Sequence, residues 1–178
     1  CEVKNLIVTN NRVTGVRVTT EGGEQTIAAR CGVVLATGGF SADIPLREAY
    51  LPPQARTLTA TAGVGTGDGL RYGLAAGARI TPGPFGSAYW TPASHYRDTN
   101  DRHVVFPHTV TDRAKPGLIA VNCDGRRFAN EAVSYHQFVT AMLRESNVVE
   151  AVPAHLICDK RFLWKYGLGA IRPMTLRL

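Results

Sequence analysis

"GVVLATGGF", residues 32–40, decides how the rest of the chain is read. Its apolar residues run continuously instead of alternating, which is the pattern of a strand covered on both faces in a parallel sheet. It ends at Thr37-Gly38-Gly39, where backbone without bulky side chains can approach a bound group closely. The residues before it differ. "VKNLIVT", "RVTGVRVTT" and "EQTIAAR" are rich in Val, Ile and Thr, and they are separated by Asn10-Asn11 and Gly22-Gly23, pairs that supply the positive φ of short hairpin turns. An antiparallel β-meander feeding one strand of parallel-sheet type is therefore predicted, within a mixed α+β / α/β fold class.

Downstream of that strand, Ser41 is placed to cap a helix over "ADIPLREAY", which Pro52-Pro53 must stop. Gly63, Gly65, Gly67 and Gly69 then alternate ahead of a second helix predicted over 70–78, with Asp68 as its cap. A glycine-dense loop opening a helix presents backbone N–H groups beside the positive end of the helix dipole, so it suits an anion or a cofactor; it equally suits a plain capping loop. The dinucleotide fingerprint G-x-G-x-x-G is absent here, because counting from Gly63 the last glycine position holds Asp68. Residues 81–108 carry Pro, Gly, aromatic and His residues without periodicity and read as a crossover into a second unit. In that unit "PGLIAVNCDGRRF" predicts a strand over 118–122, a turn at Asp124-Gly125 and a short return strand. A helix over 132–144 follows, then a strand at "AHLIC" and a helix capped by Asp159 and ended by Gly167.

Composition excludes several classes. Of 178 residues 44% are hydrophobic and 19% charged, and no apolar run nears the ~20 residues of a membrane span, so neither a disordered chain nor a membrane-spanning one is expected. The net charge of +6 is spread along the chain without a basic block or an aromatic-basic stripe; a small anionic ligand explains it better than nucleic acid. Cys1, Cys31, Cys123 and Cys158 form no C-x-x-C pair, so no metal site is predicted, and buried or reduced thiols of a cytoplasmic protein are expected. The N-terminus has neither an initiator Met nor the features of a signal peptide, and a piece of a longer chain is expected.

Three segments, "VVLATGGF", "GTGDGLRYGLAAGA" and "PGLIAVNCDGRRFANEAVSY", stand in an order and spacing that resemble the FAD-dependent succinate dehydrogenase/fumarate reductase flavoprotein superfamily, and within it the 3-ketosteroid Δ1-dehydrogenase-like branch. The V-N-x-x-G-R-R-F-x-N-E-x-x-x-Y string is the most specific part, and the likeness runs over essentially the whole chain. The resemblance implies a partial Rossmann-like FAD-binding domain over 1–85, without its N-terminal G-x-G-x-x-G unit, and an α+β capping domain over 86–178, incomplete at its C-terminal end. It implies FAD in the complete enzyme and none retained by these residues alone. By position, Ala36, Thr37 and Gly38 match the strand-end residues that line FAD, while Gly67 and Asp68 belong to the T-G-D-G element beside it.

The same likeness bears on the chemistry. Fumarate reductases carry a proton-delivering arginine at the fourth residue after the N-E pair; Tyr135 stands there in this chain, as in the ketosteroid dehydrogenases, and "YWTP" at 89–92 resembles the aromatic-Pro element of that branch. Desaturation beside a carbonyl removes a hydride to the flavin and a proton to a base. The expected function is 1,2-dehydrogenation of a ketosteroid-like or other bulky carbonyl compound, with Tyr135 taking the proton. A phenol needs nearby positive charge for that task, from Arg126 or Arg127, although either could instead pair with Glu131. His136 is a partner or proton relay, though helical geometry sets it about 100° away from Tyr135. Helical spacing alone makes Tyr135 a packing aromatic in a stripe with Phe138, Val139 and Met142. Two alternatives stand beside this reading: an enoate or dicarboxylate reductase using Arg113, Lys115 or Arg126 as acid, and a non-catalytic binding module. A small-molecule substrate is the expected partner; the electron acceptor and the oligomeric state are left open.

Overall fold

The computed structural model describes residues 1–61 and 63–174, and within these the chain forms two compact units. The first comprises residues 1–49 and 61–82, the second residues 50–60 and 83–178.

In the first unit, β1 (Glu2–Thr9), β2 (Arg12–Thr20) and β3 (Gly23–Ala28) form an antiparallel sheet in the order β1-β2-β3. The β1–β2 turn is made by Asn10 and Asn11 at φ 50° and 60°, the doubly positive geometry that asparagine tolerates better than other side chains. Leu6 pairs with Val16 and Val16 with Ile27. A side chain at Gly15 would put its Cβ 2.4 Å from the Ile27 carbonyl oxygen, so glycine is required at this point of the β2–β3 pairing. Val18 is the one buried hydrophobic residue of the sheet at 2% exposure.

The expected strand over 32–36 does not form. Residues 32–40 belong to no strand, and Val34 and Leu35 are 90% and 39% exposed. An extended segment becomes a strand only when neighbours take up its N–H and C=O groups, and no strand among the described residues pairs with it. Every sheet observed is antiparallel. Helix α1 (Ile44–Tyr50) starts later than predicted because Asp43, not Ser41, accepts the Leu46 N–H at 2.8 Å. A 3-10 turn at Pro53–Ala55 follows it. Helix α2 (Asp68–Ala75) has Gly67 at its N-cap with φ 77°, and Asp68 is its first residue; its carboxylate accepts from the Thr66 hydroxyl at 2.8 Å and does not cap the helix as predicted. Tyr72 fastens α2 to the meander by donating to the Val3 carbonyl at 2.6 Å.

The second unit opens with a hairpin where a crossover without periodicity was predicted. Strands β4 (Ala93–Arg97) and β5 (His103–Pro107) pair antiparallel, and their turn is built by Asp98, whose carboxylate accepts the N–H groups of Asn100 and Arg102. After the short helix α3 (Val110–Arg113), β6 (Leu118–Val121) pairs antiparallel with β7 (His155–Cys158). The predicted Asp124-Gly125 turn is present, with Gly125 at φ 75°, but its return strand shrinks to one bridge between Val121 and Arg127. Helix α4 (Tyr135–Glu145) begins three residues after the predicted start, where Ser134 and Gln137 form a reciprocal capping box. Helix α5 (Lys160–Tyr166) is capped by Asp159 and ends at Gly167 as expected. Its core holds Leu118, Ala120, Val121, Phe138, Val139, Leu143, Ala151 and Phe162.

Within that core lies a charge. Arg113 is fully buried, lies 4.6 Å under the Phe138 ring centre, and donates to the carbonyls of Glu131 and Val133, the latter at 2.6 Å. The Glu131 carboxylate accepts two bonds from Arg127, at 2.9 and 2.5 Å, and one from the Ala120 N–H at 2.8 Å. Burial pushes the Glu131 carboxyl upward, but these donors outweigh it and leave it below the ordinary glutamate value. The four thiols are free, the reduced arm of the expectation; Cys1, Cys31 and Cys123 are exposed and Cys158 is half-buried.

Two outcomes follow. Arg113→Met leaves two carbonyls without donors and is expected to cost on the order of 3 kcal/mol, read from urea unfolding. The depressed Glu131 carboxyl contributes stability above its unfolded pKa of about 4.3, and that contribution disappears as pH falls through the lower folded value. Glu131→Gln is therefore expected to flatten the loss of unfolding free energy on acidification below about pH 4.5, Asp112 and Asp43 contributing to the part that persists.

Candidate functional site

The glycine loop and the tip of residues 37–40 meet through backbone. Gly67 N–H donates to Gly39 O at 3.1 Å, and Ala42 N–H donates to Gly65 O at 2.8 Å. Side chains would prevent this: a Cβ on Gly65 would lie 2.8 Å from Ser41 Oγ, on Gly67 2.3 Å from Leu46 Cδ1, and on Gly69 2.2 Å from Thr37 Oγ1. The five residues proposed from the sequence to meet a cofactor, Ala36, Thr37, Gly38, Gly67 and Asp68, are thus gathered at one junction. Ala36, Thr37, Gly38 and Asp68 are exposed, whereas Gly67 is buried inside the contact. Gly65 and Gly69 were not singled out, although the alternation of glycines carried the signal.

Electrostatics hold the rim of the junction. Arg71 donates to the Thr66 carbonyl at 2.8 Å and pairs with Asp43. The Leu46 N–H, with help from Arg71, holds the Asp43 carboxyl below the ordinary aspartate value.

A second group lies at the start of α4. Tyr135 and His136 are its first two residues, both half-buried, and both touch Tyr89. The Tyr89 ring stacks on His136 at 4.5 Å and 13°, and meets Tyr135 edge-on at 5.5 Å and 78°. The sequence set the two residues on different faces of the helix; one ring lying across the first turn reaches both. Trp90 N–H donates to His136 Nδ1 at 3.2 Å, so a neutral His136 carries its proton on Nε2. The sequence offers Tyr89 and Trp90 only through the "YWTP" element, since contacts spanning 46 positions leave no periodic trace.

Arg126 does not join this group. It is exposed, and among the described residues no ion pair, hydrogen bond or ring contact links its side chain to Tyr135 or His136. Arg127, not Arg126, pairs with Glu131. Arg113 has both terminal nitrogens on carbonyl oxygens, and Lys115 sits 5.9 Å from the Tyr166 ring centre. No group of three or more metal-ligating side chains is assembled among the described residues, and no helix of theirs is long and apolar enough to cross a membrane.

Comparison with known proteins gives these features a family. The model of the FAD binding domain matches residues 1–169. The chain is 38% identical over 150 residues to the 4-oxocyclohex-2-ene-1-carboxylate 5-dehydrogenase of Sinomonas cyclohexanicum, covering 83% of this chain and 25% of that protein. It is 32% identical to the 3-oxosteroid 1-dehydrogenase of Mycobacterium tuberculosis (strain ATCC 25618 / H37Rv), covering 95% of this chain and 31% of that one. Among solved structures it is similar to the 3-ketosteroid delta1-dehydrogenase from Sterolibacterium denitrificans in complex with 1,4-androstadiene-3,17-dione. That match has a TM-score of 0.74 and 34% identity over 96% of this chain and 30% of that one. The chain thus spans between a quarter and a third of the length of the relatives it matches. The match over residues 1–169 leads to one assignment: the chain belongs to the FAD binding domain family.

Proposed function

We propose that this chain is the central part of an FAD-dependent oxidoreductase that introduces a carbon–carbon double bond beside the carbonyl of a cyclic ketone, of ketosteroid or 4-oxocyclohexane type. In this reading residues 1–85 belong to a Rossmann-like FAD-binding domain and residues 86–178 to a cap over the substrate. The observation that carries it is the backbone junction between the 65–69 loop and the 37–40 tip. It supports a flavin nucleotide on chemical grounds. A Cβ on Gly38, Gly39 or Gly63 would meet nothing within 4 Å, so their backbone is open to a flat or extended ligand, while the interior of the loop is closed. Asp68 in the first turn of α2 repels phosphate and accepts from a hydroxyl or ring N–H, which suits the hydroxyl-bearing part of the cofactor at this corner. Bound flavin supplies the hydride acceptor.

The chain's own contribution is the proton. Tyr135 takes it from the carbon beside the carbonyl, with its ring held edge-on by Tyr89. His136, pinned by Trp90 and stacked on Tyr89, offers Nε2–H as a donor to a phenolate or ketone oxygen. Arg126 is exposed and has no ion pair among the described residues, so in this reading it stays available to offer charge to substrate, whereas Arg127 is committed to Glu131. Reduction of a dicarboxylate is less well supported, because Arg113 is buried and engaged with carbonyls and Tyr135 stands where an arginine acid is required.

The direct test mixes full-length, flavin-loaded protein anaerobically with a cyclic 3-ketosteroid or 4-oxocyclohexanecarboxylate. Bleaching of the flavin absorbance is expected; bleaching by neither ketone, with reoxidation of reduced protein by fumarate, would favour the reductase. Tyr135→Phe is expected to lower turnover by roughly 10²- to 10⁴-fold while the flavin-to-protein absorbance ratio stays unchanged. Gly67→Ala, strained at φ 77° and crowded by Leu46, is expected to weaken flavin binding about tenfold or more, measured by equilibrium dialysis.

A further inference from the structure

Apart from the tyrosine group, the second unit holds three polar side chains joined in series. Ser94 Oγ lies 2.6 Å from His108 Nε2, and His108 Nδ1 lies 2.6 Å from Asp112 Oδ2. The fold makes this alignment from separate elements. Ser94 on β4 stands opposite Phe106 on β5. His108 follows β5 and extends its pairing by donating its backbone N–H to Pro92 O at 2.7 Å. Asp112 lies in α3, four residues after the histidine. The imidazole is buried at 4% exposure; a Cβ on Gly169 would come within 3.4 Å of its Cε1, and the Phe106 ring lies 5.4 Å away. The serine at the other end of the series is exposed.

Hydrogen-bond chemistry fixes the protons. An ionised carboxylate only accepts, so His108 Nδ1 must carry the proton it gives to Asp112. In the neutral ring Nε2 is then bare, and the Ser94 hydroxyl has to be the donor. Partial burial pushes the Asp112 carboxyl up, but the hydrogen bonds from His108 Nδ1–H and the Arg113 N–H outweigh it, which keeps Asp112 ionised near neutrality. A hydroxyl aimed at a bare imidazole nitrogen, itself oriented by a carboxylate, is the arrangement that activates serine as a nucleophile.

We propose that Ser94, His108 and Asp112 form an acyl-accepting site, independent of the ketone chemistry, that takes the acyl group of small activated esters. Ser94 Oγ bonds to the ester carbonyl carbon as its proton passes to His108 Nε2. The ester C–O bond then breaks, and the same proton leaves with the alkoxide. Water, giving a proton to the same nitrogen, adds to the acyl-serine; Oγ departs with that proton and the free acid is released. No oxidant or reductant enters. The exposed position of Ser94 fits a small ester arriving from solvent rather than a long chain needing a tunnel.

The test treats the full-length, flavin-loaded protein with p-nitrophenyl acetate and, separately, with a fluorophosphonate, and locates the adduct by peptide mass spectrometry. Ser94 is expected to be labelled on the order of 10²-fold faster than the other serines, and Asp112→Asn to remove most of that advantage. Ser94→Ala is expected to abolish the p-nitrophenol burst and leave flavin bleaching by ketone unchanged. As Ser94 is exposed, this variant keeps the test sound even if Asp112→Asn does not fold. Absence of an adduct on Ser94, labelling no faster than at other serines, or a burst that survives Ser94→Ala overturns the proposal. A purely structural serine, there only to satisfy a buried imidazole, gives those results.

Discussion

The second unit depends on one buried guanidinium. Arg113 carries a full charge into a core of Leu118, Ala120, Phe138 and Phe162, where an ion without partners would cost several kcal/mol. Its two terminal nitrogens donate to carbonyls on the segment that leads into α4, while the buried Nε has no partner among the described residues, so answering the charge and fixing that segment are largely the same event. Glu131 answers from the same segment, spanning from Arg127 to the β6 backbone at Ala120. The start of α4, with Tyr135 and His136 on it, inherits its position from this arrangement more than from its own helical propensity. Asn122 completes the frame: it is 1% exposed, its amide donates to Glu145 at 2.8 Å, and its oxygen accepts from Asp124 and Arg126.

What the sequence disclosed was what local chemistry decides. Asn10-Asn11 demands a doubly positive turn, and the meander follows from it. Asp159 and Gly167 bracket α5 because cap and stop are properties of single residues. Where the outcome rests on distant neighbours the reading failed. The apolar run at 32–36 looks like a buried strand, yet a strand is a relation between segments, and none of those described here pairs with it. The β4–β5 hairpin escaped notice because its turn is made by the Asp98 side chain and no glycine announces it. For α4 the signal was present, since Ser134 and Gln137 have capping-box spacing; an apolar start at Ala132 obscured it.

The candidate site divides along the same line. That residues 37–39 and the 65–69 loop are poor in bulky side chains is visible from the residues; that Gly39 and Ala42 bond to the loop is not, because residues 43–64 intervene. The position of Tyr135 within the N-E-x-x-x-Y string marked it out, but the convergence of Tyr135 and His136 on Tyr89 belongs to tertiary structure. The two arginines divide in the same way. Two adjacent arginines look equivalent in the sequence, and the fold commits one of them to Glu131 while the other faces solvent.

The junction of tip and loop is bonded in both directions, amide of one to carbonyl of the other, so it closes the intervening chain at its base like the neck of a purse. Asp43, Leu46 and Thr61 brace that neck from just inside it, and residues 50–60 leave the first unit for the second before the chain returns at Thr61. The excursion over residues 50–60 is therefore a graft point: polypeptide inserted there lengthens it without shifting the glycines, whereas a residue added between Gly65 and Gly67 would put the two bonds of the closure out of step.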